Sequence, residues 1–129
     1  MIYLDTSVVL AHLLAEDHTP PRTLWDEPLV SSRLLEYEVW TRLHSMDLAD
    51  SHGELARSIM SRISFLELAR PVLARAVEPF PMPVRTLDAL HLASLDFLSK
   101  NGQDVTLASF DTRQLKVARK MGIATTDLH

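Results

Sequence analysis

The chain has 129 residues, 47% of them hydrophobic, with no cysteine and a formal net charge of −4. This size and apolar content suit one domain with its own core, and the charge argues against a nucleic-acid binder that relies on bulk positive potential. The lack of cysteine excludes a disulfide framework, a thiolate metal site and a thiol nucleophile, which fits a cytoplasmic setting. No basic segment precedes the first apolar run, and no apolar stretch nears the roughly 20 residues needed to span a bilayer. A soluble protein without signal peptide or membrane contact is therefore expected.

Ile2–Leu4 predicts a short buried strand that ends on Asp5, and Thr6 and Ser7 lead into an apolar helix through Leu14. After the break at Glu16–Pro21, Pro21 opens a helical turn through Trp25. Pro28–Ser32 predicts a second strand closing on a helix cap. The helix from Arg33 to about Met46 places Leu35, Val39, Leu43 and Met46 on one face. Arg42 projects onto that same face, and Glu38 one turn earlier is its expected partner. Glu36 points to the opposite margin.

A turn over Asp47–Gly53 joins this helix to a second, Ser51–Phe65, with Leu55, Ile59, Met60 and Ile63 as its apolar positions. Together they form a helical hairpin laid on the sheet. Periodicity leaves Phe65–Ala69 open between a strand and a helix end. Pro71 opens a helix through Ala76, and the proline-rich Pro79–Pro83 is a stiff connector. Thr86–Leu98 is apolar almost all round and predicts a central helix stopped by Asn101-Gly102. Val105–Ser109 is a buried strand, Thr112–Met121 a helix ended by Gly122, and Ile123–Thr125 a last strand. Strands alternating with helices imply an α/β fold with a mostly parallel sheet covered on both faces.

Four acids occupy comparable places. Asp5 and Asp111 sit at strand-to-helix junctions, which lie on one edge of a parallel sheet, where open α/β sheets bind ligands. Glu38 enters from a helix that follows another strand, and Asp88 from the first turn of the central helix. Each has a purely structural explanation. Asp5 and Asp111 could cap helices, with Gln114 completing a capping box at Asp111. Asp88 could favour a helix dipole with Thr86 as cap, and Glu38 could neutralise Arg42. A shared edge is what separate caps do not require. Two unit charges 4 Å apart repel by roughly 4 kcal/mol at an effective dielectric of 20, so such a cluster calls for a cation. Oxygen ligands without thiolates select Mg²⁺ or Mn²⁺, which suits hydrolysis of a phosphodiester.

Around these acids, Thr6, Ser7 and Ser109 are candidates for orienting carboxylates. Arg85 and Arg113, with Lys116, Arg119 and Lys120, are candidates for flanking phosphates. His91, one turn after Asp88, is expected as a packed, hydrogen-bonded histidine rather than a ligand.

Met1-Ile2-Tyr3-Leu4-Asp5-Thr6-Ser7, Glu38 with Arg42, Arg85-Thr86-Leu87-Asp88-Ala89-Leu90-His91-Leu92-Ala93, and Ser109-Phe110-Asp111 with Gly122 resemble the PIN-domain ribonucleases. Among them the chain is most similar to the VapC-type toxins of toxin–antitoxin pairs. The resemblance covers nearly the whole chain, and the segment around Asp88 is its most diagnostic part. It implies a three-layer α/β/α sandwich and an acidic quartet of Asp5, Glu38, Asp88 and Asp111 that binds Mg²⁺ or Mn²⁺, with Ser109 in the hydroxyl position. It also implies endonucleolytic cleavage of RNA, a homodimer and a cognate antitoxin. The expected place for the antitoxin is the groove beside the Arg33–Phe65 helical pair, near Trp40. Haloacid-dehalogenase-like phosphatases need an acid where Ser7 stands, and receiver domains need an adjacent acidic pair that is missing here. A non-catalytic PIN-like module that binds a protein or RNA without cleavage is the alternative.

Overall fold

In a computed structural model that describes residues 1–129, Ile2–Leu4 (β1), Leu29–Ser32 (β2), Ile63–Leu66 (β3) and Thr106–Ala108 (β4) form a parallel four-stranded sheet. The strand order is β3-β2-β1-β4. Register aligns Tyr3 with Val30 on one side and with Leu107 on the other. Successive residues of a strand point to opposite faces. Tyr3, Val30 and Leu107 therefore enter one core, while Leu4, Leu29, Ile63 and Ala108 enter the other.

Helices Thr6–Leu13 (α1), Arg33–Ser45 (α2) and Ala49–Met60 (α3) cover the second of these faces, through Val8, Val9, Leu35, Val39, Leu43, Ala56 and Ile59. Thr86–Lys100 (α5) and Thr112–Lys120 (α6) cover the first, through Leu92, Leu95, Val117 and Ala118. Arg70–Ala76 (α4) packs on α5, where Arg75 donates to Asp96 (2.7 Å) and Lys100 reaches the same carboxylate oxygen (2.9 Å). The fold is the three-layer α/β/α sandwich expected from the sequence.

The route of the chain positions the site. From β1 it moves outward to β2 and then β3, and returns through α4 and α5 to place β4 on the opposite side of β1. The crevice beyond the carboxyl ends of β1 and β4 is thus the switch point where such sheets hold ligands.

Several local expectations change. The second helix stops at Met60, and Ile63 to Leu66 is a strand paired with β2, because the ladder Leu29↔Ile63 to Ser32↔Leu66 takes over the backbone bonds. Gly53 lies inside α3 rather than in the preceding turn, beside the Trp40 ring. Met46 and Leu55 are exposed rather than part of the buried stripes. Ile123–Thr125 is not a strand. It keeps only an isolated bridge from Thr125 to Leu107, after Gly122 turns the chain at φ +80°. Val105–Ser109 narrows to Thr106–Ala108, which releases Ser109 for side-chain bonding at the site.

Candidate active site

Asp5 is the first residue past β1. Its backbone N–H still donates to the Ala108 carbonyl (2.9 Å), which ties it to β4, while its side chain accepts from no backbone N–H in the first turn of α1. The capping explanation for Asp5 therefore fails. Its Oδ2 accepts from Ser7 Oγ (2.5 Å) and Ser109 Oγ (2.9 Å). Both hydroxyls are anchored in turn, Ser7 Oγ by the Phe110 N–H (3.1 Å) and Ser109 Oγ by the Asp111 N–H (2.9 Å). With its amide nitrogen turned to the carboxylate, Gln114 donates to Asp5 Oδ1 (2.9 Å). Three side-chain donors fix this carboxylate across the β1–β4 crevice.

Gln114 escaped the sequence reading, which gave it to a capping box. Asp111 does cap α6, accepting from the Arg113 and Gln114 N–H groups (3.0 and 3.3 Å), but the Gln114 side chain goes to Asp5 instead of back to the cap. A signal was present. Gln114, Val117 and Ala118 form the buried face of α6, and a glutamine only 3% exposed on an apolar stripe needs a polar partner inside.

Glu38 also has a different partner from the one its i,i+4 spacing suggests. Arg42 is exposed and takes part in none of the ion pairs. Glu38 Oε1 accepts instead from Thr6 Oγ1 (2.9 Å) and lies 2.6 Å from His91 Nε2. His91 is buried, and its Nδ1 faces the Tyr3 hydroxyl at 2.8 Å. Complete burial holds that hydroxyl protonated far above the ordinary phenol range. Both ring nitrogens are thus engaged, Nδ1 by the Tyr3 hydroxyl and Nε2 by the Glu38 carboxylate. The expectation of a packed, hydrogen-bonded histidine holds. A chain of bonds from β1 through α5 to α2 sets the direction of Glu38. Glu36, at the other margin, pairs with Arg33 (3.0 Å) on the surface.

Asp88 lies in the first turn of α5, where Arg85 occupies the cap position and no side chain makes a capping bond. Thr86 is thus not its cap. Asp88 has no ion-pair partner. Its carboxyl is held above the ordinary aspartate value, first by partial burial and then by the charges of Asp111, Asp5 and Glu38, with His91 opposing them. The four acids are therefore electrostatic neighbours at one edge of the sheet. Their side chains are not a preassembled cage: no group of three or more His, Asp or Glu residues is arranged to hold a metal ion by itself. A Mg²⁺ ion does not require one, since it keeps several waters and binds through one or two carboxylates plus substrate phosphate. The donor set, oxygen throughout, fits such an ion.

Of the basic candidates, Arg113 donates to the Pro83 carbonyl (2.8 Å), which fastens the connector before α5 to α6. Arg119 reaches Thr125 (3.3 Å), and Arg85 is exposed with no ion-pair partner. Trp40 is half-covered, with Arg57 over its ring at 5.2 Å, so it is no free docking aromatic. The exposed ring on α2 is Tyr37 (65%).

A parallel α/β/α sandwich with acids gathered at the β1–β4 crevice defines a class, and comparison with known proteins agrees with it. The PIN domain profile matches residues 2–120, and the chain belongs to the PIN domain family. It is 31% identical over 127 residues to Ribonuclease VapC46 of Mycobacterium tuberculosis (strain ATCC 25618 / H37Rv), covering 95% of this chain and 94% of that protein. It is 28% identical over 132 residues to Ribonuclease VapC47 of Mycobacterium tuberculosis (strain CDC 1551 / Oshkosh), covering 97% and 95%. The VapC-type resemblance seen in the sequence is borne out.

Proposed function

We propose that this chain is a Mg²⁺- or Mn²⁺-dependent endoribonuclease, the toxin of a toxin–antitoxin pair. Asp5, Glu38, Asp88 and Asp111 form its catalytic and metal-binding set. The observation that carries the reading is Asp88, left without a cation while three other acids press on it. The two relatives named as ribonucleases, matched over nearly their full length, support RNA as the substrate. A homodimer and a protein antitoxin that covers the site follow from the VapC-type resemblance.

When bound, the metal would supply a positive centre at the scissile phosphate and lower the pKa of attacking water. Asp88 and Asp5 are the residues that would hold it, with Glu38 and Asp111 at its margins. The remaining work belongs to the chain. Ser7, Ser109 and Gln114 hold the Asp5 carboxylate in one orientation, so it needs no reorganisation when substrate arrives. His91, fixed by Tyr3, and Thr6 do the same for Glu38. Arg85, exposed beside Asp88, is placed to meet a flanking phosphate, whereas Arg113 orders the Pro83 connector.

The test is cleavage of single-stranded RNA with Mg²⁺ or Mn²⁺ by the parent protein and by Asp5→Asn and Asp88→Asn. Removing either charge should lower the rate about 10³-fold, the loss of roughly 4 kcal/mol of charge stabilisation. Variants that cut at the parental rate would exclude these acids from the chemistry. A parent protein that binds RNA and never cuts would favour the non-catalytic module.

A further inference from the structure

We propose that Arg42 holds a backbone phosphate of single-stranded RNA beside the acidic edge, with Tyr37 stacked on an adjacent unpaired base. The proposal rests on the nuclease reading and adds the groove that carries the strand. Arg42 should pair with Glu38 one turn before it, yet Glu38 turns inward to Thr6 and His91 and leaves the guanidinium without an ion partner. Arg42 stands between two cavities that also share Leu10. One, about 420 Å³, contains Thr6 and Glu38. The other, about 560 Å³, contains Ser7, the residue that donates to Asp5. The free cation thus lies between the two arms of the carboxylate network, on the path of any strand laid across them.

Charge selects the side on which the phosphate rests. The larger cavity is lined by Glu16 and Asp17, which repel an anion, with His18 beside them. The smaller offers the hydroxyls of Tyr37 and Thr41, and its one acid, Glu38, is already engaged by Thr6 and His91. A planar guanidinium beside hydroxyl groups is a phosphate-binding chemistry. The Tyr37 ring is 65% exposed and lines the same cavity. Such a ring takes a base only when the base is unpaired, and it does so with little regard to sequence. A strand held here is therefore gripped through backbone and stacking rather than through base edges.

The experiment measures anisotropy of a fluorescent single-stranded RNA of mixed sequence over a salt series, with chelator present to prevent cleavage. Arg42→Gln should weaken binding about tenfold and reduce the slope of log K against log salt by about 0.7, the loss of one phosphate contact on a single strand. Arg62→Gln makes the same charge change just before β3, at the opposite edge of the sheet, and should alter neither quantity. Tyr37→Ala should weaken binding about tenfold with the slope unchanged, and should have no effect on a fully paired duplex. Equal slopes for Arg42→Gln and Arg62→Gln would overturn the phosphate contact, and equal loss on duplex would overturn the stacking. Cleavage by the parent and Asp88→Asn in Mg²⁺ tests the nuclease reading separately, because the binding assay does not depend on it.

Discussion

Helix α5 carries two aspartates about two turns apart that live in opposite surroundings. Asp96 is buried and shared by Arg75 and Lys100, so its charge is matched and serves to hold α4 to α5. Asp88 feels the charges of Asp111, Asp5 and Glu38 and has no cation within ion-pair distance. Both residues have the same side chain on the same helix, yet one is a finished structural contact and the other is an unmet electrostatic demand. A carboxylate kept in the second condition costs stability, and the fold retains it at the crevice where open α/β sheets bind ligands.

The sharpest way to break this contrast is to remove each charge with asparagine. Asp88→Asn should lose RNA cleavage about 10³-fold and keep or raise the melting temperature at neutral pH. Asp96→Asn should keep cleavage and lose about 2–3 kcal/mol of stability, because Arg75 would be left partly buried without its counter-charge. Thermal melts and a cleavage assay on the same two preparations decide it. The contrast is wrong if both variants behave alike.

A smaller effect is expected from Gln114→Ala. It removes one donor to Asp5 without touching a charge, and should lower cleavage about 10- to 100-fold, the range seen when groups that orient metal-binding residues are lost. Asp88→Asn in the same assay gives the scale.

The smallest effect is the pH dependence of stability. Because the native Asp88 carboxyl titrates above its ordinary value of 3.8, the folded state binds that proton more tightly than the unfolded chain. The resulting stabilisation is fully present below the ordinary value and is lost as the pH rises through the raised native value. The Asp88→Asn protein should lack this decline, which appears as a narrowing gap between the two melting curves as the pH is lowered.

The sequence carried the architecture further than the contacts. Alternation of strand and helix, and acids at the strand ends, were enough to place Asp5, Glu38, Asp88 and Asp111 on one edge. Partners that cross the fold were not readable. Helical spacing points Glu38 to Arg42, while its real contacts, Thr6 and His91, come from α1 and α5. Gln114 resembles half of a capping box until β1 and β4 bring Asp5 over it. Ile63 continued the apolar rhythm of α3, and only the ladder with β2 makes it a strand. Ile123–Thr125 had the composition of a strand, yet it stands beyond Leu107 with a single bridge. In each case local propensity was legible, and the decisive bond came from a distant segment.

The most direct measurement is a thermal shift with Mn²⁺ or Mg²⁺ in the absence of RNA. A ligand that binds only the folded state raises its stability by RT ln(1 + [L]/Kd). The parent protein should gain melting temperature steadily with metal concentration, and Asp88→Asn should gain little or nothing. A parent protein indifferent to either ion, or an Asp88→Asn variant stabilised as much as the parent, would contradict a shared cation as the reason these four acids stand together.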